Sequence, residues 1–104
     1  MIRYGELIQA LRGYTHRDIS NEISDENYRI VIKLAIRKNR LNQQWDLQHI
    51  TAVLLHIAFN DGQLHPSQLN SDGLNALDWA ERLIEEEEIP FDWLKAERKQ
   101  QASV

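Results

Sequence analysis

The chain has no cysteine, and only two prolines and four glycines in 104 residues. Without cysteine there is neither a disulfide framework nor a thiolate metal site, so packing alone must hold the fold. That lack suits a reducing compartment. No uncharged apolar run approaches the roughly twenty residues a membrane helix needs, and Met1 to Glu6 carry none of the apolar stretch of a signal peptide. The expectation is a cytoplasmic protein with no membrane partner. No linker rich in glycine, serine or proline divides the chain. Residues 1–96 are therefore expected to form one domain, and residues 97–104, with little to bury, a flexible tail.

Charge is present, and unevenly placed. Residues 1–45 hold eight Lys/Arg against five Asp/Glu, a net of +3; residues 46–104 hold four against eleven, a net of −7. Such asymmetry concerns partners and association rather than fold. An acidic chain lacks the phosphate-neutralising excess on which non-specific nucleic-acid binding depends.

Apolar periodicity predicts helices throughout. Ile2 to Leu11 set Ile2, Leu7, Ile8 and Leu11 on one side, with Gly13 as a left-handed terminator. Thr15 caps a short second helix over Arg17 to Ile23. Ser24 caps a third, with Asp25 and Glu26 at its positive end and Lys38 and Arg40 in its last turn. Within it Arg29, Lys33 and Arg37 recur every four residues, a narrow cationic stripe on an otherwise apolar helix. The run Ile30-Val31-Ile32 would also suit a strand, but the cap and the cation spacing favour helix. Asp46 opens a fourth helix to Asn60, with Leu47, Ile50, Leu54 and Ile57 inward and Leu55 and Phe59 widening that face. These two apolar helices should be the buried centre, Ile32 and Leu54 fully inside. Ser71 and Asp72 begin a fifth, with Leu74, Leu77, Ala80 and Ile84 inward. Pro90 starts a last one, anchored by Phe91 and Leu94. The fold class expected is all-α, a small orthogonal bundle of five to six short helices.

Several groupings invite a chemical reading. His49 and His56 share a helix face but stand seven residues apart, about 10.5 Å of rise and too far to share one ion. Neither they nor His65 belong to a metal-ligand motif. The stretch Ala58 to Leu69, with Asp61-Gly62 at its turn, resembles the second half of an EF-hand loop. Aligned on Gly62, however, it puts Ile57 and Phe59 where oxygen ligands belong, and Gln68 where a bidentate Glu should stand. A similar Asp-Gly turn between helices occurs in the TerB-like helical domains of tellurite resistance. The residues themselves predict a tight corner, with Gly62 strained, Leu64 in the core and Pro66 restarting the helix.

The N-terminal forty residues also resemble a helix-turn-helix unit, Ile19, Ser20 and Ile23 falling on its middle helix. The connection Ile23-Ser24-Asp25 is short for that turn. Asp25 and Glu26 would meet phosphate and acceptor-rich base edges. The acidic run Glu85 to Glu88 reads first as a solvated face. There is no cysteine nucleophile, glycine-flanked serine or phosphate-cradling loop, and no catalytic residue, metal or cofactor is assigned. The reading is a small non-catalytic adaptor or regulator that binds another protein, a second copy of itself included. The alternative is a helix-turn-helix regulator on DNA. The residues assigned to partner binding are Arg29, Lys33, Arg37, Arg40, Trp45 and Trp93, the tryptophans because that side chain anchors interfaces.

Overall fold

The computed structural model describes residues 2–41 and 45–86. Four α-helices and one 3₁₀ turn run through them, α1 over Tyr4–Arg12, α2 over Asp25–Arg40, α3 over Leu47–Asn60, the 3₁₀ turn over Pro66–Gln68 and α4 over Ser71–Glu86. The all-α class holds, with four α-helices among the described residues where five were expected. The helix expected from Pro90 and the tail over 97–104 lie outside the described residues.

The missing helix is the second. Residues 13–24 form turns and loop instead, because local side chains and the segment 68–70 ahead of α4 claim their backbone. The Thr15 hydroxyl donates to the Arg17 carbonyl at 2.7 Å rather than capping a helix. Asp18 Oδ1 accepts from both the Ser20 N–H and the Ser20 hydroxyl, at 3.0 and 2.7 Å. Farther away, His16 N–H donates to Gln68 O, Asn70 N–H to Tyr14 O, and Thr15 pairs with Leu69 in an isolated bridge. Ile19 and Ile23 are buried all the same. Apolar anchors at four-residue spacing thus sit in a loop whose polar side chains out-compete helical hydrogen bonding.

Helix α3 is the hub, packed against α1, α2 and α4. Every residue from Ile50 to Leu55 is buried, with Ile57 and Ala58 beyond. Thr51 is inside because its hydroxyl donates to the Leu47 carbonyl at 2.7 Å. Asp46 is the N-cap, accepting from the His49 N–H. Ser24 caps α2, its hydroxyl accepting from the Asn27 N–H at 3.3 Å. Both caps are the ones expected. Gly13, by contrast, ends α1 with φ −70°, not in the left-handed region.

The corner after α3 follows the turn chemistry. Gly62 takes φ +76°, Leu64 is buried, and Pro66 opens the 3₁₀ turn. Asn27 locks this corner to α2. Fully buried, it donates through Nδ2 to Asp61 Oδ2 and Gln63 Oε1, both at 2.9 Å. Gln63 Oε1 also accepts from the Ser24 N–H. Helix α4 begins one residue earlier in its chemistry than expected, Asn70 Oδ1 accepting from the Gly73 N–H. Gly73 faces the 13–15 loop so closely that a Cβ there would sit 2.2 Å from Tyr14 O. This contact fixes the helix's rotation: Gly73, Ala76, Ala80 and Leu83 turn inward, and Leu74 is 47% exposed rather than buried. Phe59 and Ile32, expected inside, are exposed and half-buried respectively.

Candidate functional site

Helix α2 is buried on one side only. Tyr28, Ile30, Val31, Leu34, Ala35 and Lys38 face the interior, whereas Arg29, Lys33, Arg37 and Arg40 are all exposed. Four of the six residues expected to bind a partner therefore share one outward face. Seven-residue spacing carries Lys33 to Arg40 over two turns, about 10.5 Å of rise. Ile36 lies on the same line, three residues after Lys33 and four before Arg40, and is half-buried. Leu41, at the end of the helix, is 59% exposed. The site is thus a mixed surface in which apolar side chains are interleaved with cations.

Grooves flank this ridge. One, of about 570 Å³, lies between the start of α1 and the second half of α2, floored by Ile2, Ile32, Ile36, Trp45 and Leu47, with Glu6 and Arg40 among its polar lining. The other, of about 440 Å³, is lined by Lys33, Ile36, Arg37, Arg40 and Leu41. Ile36 and Arg40 belong to both.

Trp45, expected to offer an exposed edge to a partner, is largely covered. It is 8% exposed and belongs to a stacked array across the α2–α3 connection. The Lys38 ammonium sits 4.8 Å over its ring, so a nearly buried cation meets the indole's negative face. The His49 ring stacks on Trp45 at 5.6 Å and 20°, and the Trp79 ring meets His49 at 4.8 Å. Asp46 Oδ1 lies 2.7 Å from His49 Nδ1, which holds the Asp46 carboxyl below its usual range, with the two backbone N–H bonds from His49 and Gln48 adding to the effect. Trp45 thereby stiffens one wall of the larger groove and offers it an edge rather than a plug. Trp93 lies outside the described residues.

His56, on the other end of α3, is half-buried, and burial pushes its pKa down. It lines a third groove, about 280 Å³, with Phe59, Asn60, Leu74, Leu77, Asp78 and Glu81. Residue patterning hid this patch, since it depends on the rotation of α4 that Gly73 sets. Only the glycine inside an otherwise regular helix could have signalled a close approach there.

The helix-turn-helix arrangement lacks its middle helix, residues 17–23 being turn and loop tied by Arg12–Asp18 and Arg17–Glu22 pairs. Among the described residues no three His, Asp or Glu side chains converge as a metal site would require, and no helix is long and apolar enough to cross a membrane. Comparison with protein-family models, with curated proteins and with solved structures gives no match to this chain.

Proposed function

We propose that this protein is a small non-catalytic binding module, which docks an acidic surface of another protein on the outward face of α2. One observation carries the reading: Ile36 and Leu41 stand exposed or half-exposed among Lys33, Arg37 and Arg40, with a groove on either side. Cations on a plainly solvated helix face need no apolar company. Apolar side chains set between them give an area to desolvate, and the charges give orientation and rate. The cationic excess of residues 1–45 supports an acidic partner. The reading extends to a single domain acting in the cytoplasm, in keeping with a cysteine-free sequence.

The test is capture from a lysate with the intact protein as bait. A stoichiometric protein partner recovered by the wild type should survive Lys33→Arg and be lost with Lys33→Glu plus Arg37→Glu. Retardation of duplex DNA at low salt, falling steeply as salt rises, would replace this reading with a nucleic-acid one.

A further inference from the structure

The larger groove is lined on one side by a continuous stripe of α2. Ile32, Ala35, Ile36, Asn39 and Arg40 stand at i, i+3, i+4, i+7 and i+8, a rise of about 12 Å along the helix. The stripe is apolar in its first half and ends in a cation. The facing wall comes from Ile2 and Glu6 at the start of α1, four residues apart, and Trp45 and Leu47 complete the floor. Lys38 and the His49 ring hold the Trp45 indole in place, so this part of the groove is formed before anything enters it.

Two charges line the groove without meeting. Among the described residues neither Arg40 nor Glu6 has an ion pair or a side-chain hydrogen bond, whereas Lys33 and Arg37 both have interactions within the molecule. Arg40 stands on the α2 wall and Glu6 on the α1 wall, so an occupant meets a cation on one flank and an anion on the other. Its backbone must be satisfied as well. From Ile32 to Ile36 the N–H and C=O groups of α2 are paired within the helix, which leaves no ladder for an extended strand on that wall. A helix brings its own backbone pairing. Apolar side chains at i, i+4 and i+7 of such a helix span about 10.5 Å, close to the length of the stripe.

We infer that the groove between α1 and the second half of α2 receives an amphipathic α-helix of a protein partner. Its apolar face lies on Ile32, Ile36 and Leu47, with an acidic residue on the flank against Arg40 and a basic residue on the flank against Glu6. This rests on the reading of α2 as a docking face and names the element that the partner brings to it.

The experiment uses the intact protein and three fluorescein-labelled peptides of about sixteen residues, read by anisotropy. All carry leucine at i, i+4, i+7 and i+11 in an alanine and glutamine background. Their flanks differ: glutamate on one and lysine on the other, glutamate on both, or lysine on both. A control peptide has the mixed composition with leucine at every second position. The wild type should bind the mixed peptide most tightly, at least about fivefold tighter than the control, and the bound peptide should gain helical ellipticity. Arg40→Glu should prefer the lysine peptide and Glu6→Lys the glutamate peptide, each by about fivefold. Ile36→Gln should weaken binding of all three peptides by about tenfold. Circular dichroism checks that each variant folds. Mixed-peptide binding no tighter than the control, binding without a gain in helicity, or preferences that ignore Arg40 and Glu6 overturn the inference. So does dimerisation of the protein alone that Ile36→Gln abolishes, which gives the groove to a second copy. If capture from a lysate still depends on Lys33 and Arg37 in any of these cases, the docking reading stands without the helix. Undiminished capture by Lys33→Glu with Arg37→Glu overturns that reading instead, and the peptide preferences still decide what the groove takes.

Discussion

Helices α2 and α3 are each capped by a polar residue, but seven of sixteen residues are apolar in α2 against nine of fourteen in α3, and the fold treats them differently. Helix α3 is surrounded by the other three helices, and its polar residues are absorbed by local hydrogen bonds, as Thr51 shows. Helix α2 buries one side and leaves Ile32 and Ile36 half-covered beside four exposed cations. Apolar side chains serve stability in α3, and those of α2 that the core leaves half-covered remain as surface for association. What separates them is the cationic stripe: Arg29, Lys33 and Arg37 cannot be desolvated cheaply, so their face must stay outside.

The largest expected effect lies in the hub. Leu54→Ala should cost about 2–5 kcal/mol of unfolding free energy, transfer and cavity terms together. Ile32→Ala, on the half-covered side of α2, should cost about 1 kcal/mol. Equal losses in denaturant titrations would erase the distinction between the two helices.

The caps sharpen it next. Ser24→Ala and Asp46→Ala should each cost about 1 kcal/mol near neutral pH. Only the Asp46 contribution should depend on acid. Its folded pKa lies below the ordinary 3.8, so the stabilisation is present above that value and is lost as pH falls through the folded pKa. The stability difference between wild type and Asp46→Ala should shrink below about pH 4, while the Ser24→Ala difference stays constant.

A smaller, local effect belongs to the loop that replaced the expected helix. The two Ser20 hydrogen bonds, helped by the Arg12 guanidinium, hold Asp18 down to about 2 from 3.8. Its hold on residues 18–20 is complete above the unfolded value and is released as pH falls towards 2. Amide exchange at Ser20 should therefore accelerate, relative to α3, between about pH 4 and 2. Asp18→Asn should remove that pH dependence, and unchanged exchange in the wild type would show that the loop is held by Ile19 and Ile23 alone.

Much of this fold was legible from residues. Ser24 and Asp46 as caps, the limits of α2 and α3, Gly62 with positive φ and buried Leu64 all follow from local chemistry that tertiary contacts reinforce. What was not legible depends on distant partners. Residues 17–23 have helical spacing, but Gln68 and Asn70 draw the adjoining backbone of Tyr14 and His16 into a loop. Leu74 has inward spacing, but the approach of Gly73 to Tyr14 O rotates it out. Trp45, read as offering an exposed edge, lies mostly covered under Lys38 and His49, contacts that no periodicity encodes. Of the candidate site, spacing alone set Arg29, Lys33 and Arg37 on one line, whereas the place of Arg40 on the same face and of Ile36 and Leu41 beside it needed the structure.

The smallest expected effect on stability is also the most informative. Lys33 and Arg37 are exposed, so reversing both to Glu should change unfolding free energy by no more than about 0.5 kcal/mol. The central claim is that this face serves association and not folding. Its most direct test is the amount of partner captured by the Lys33→Glu, Arg37→Glu protein relative to wild type from one lysate. The account predicts loss of the captured protein, and undiminished capture by the reversed face would contradict it.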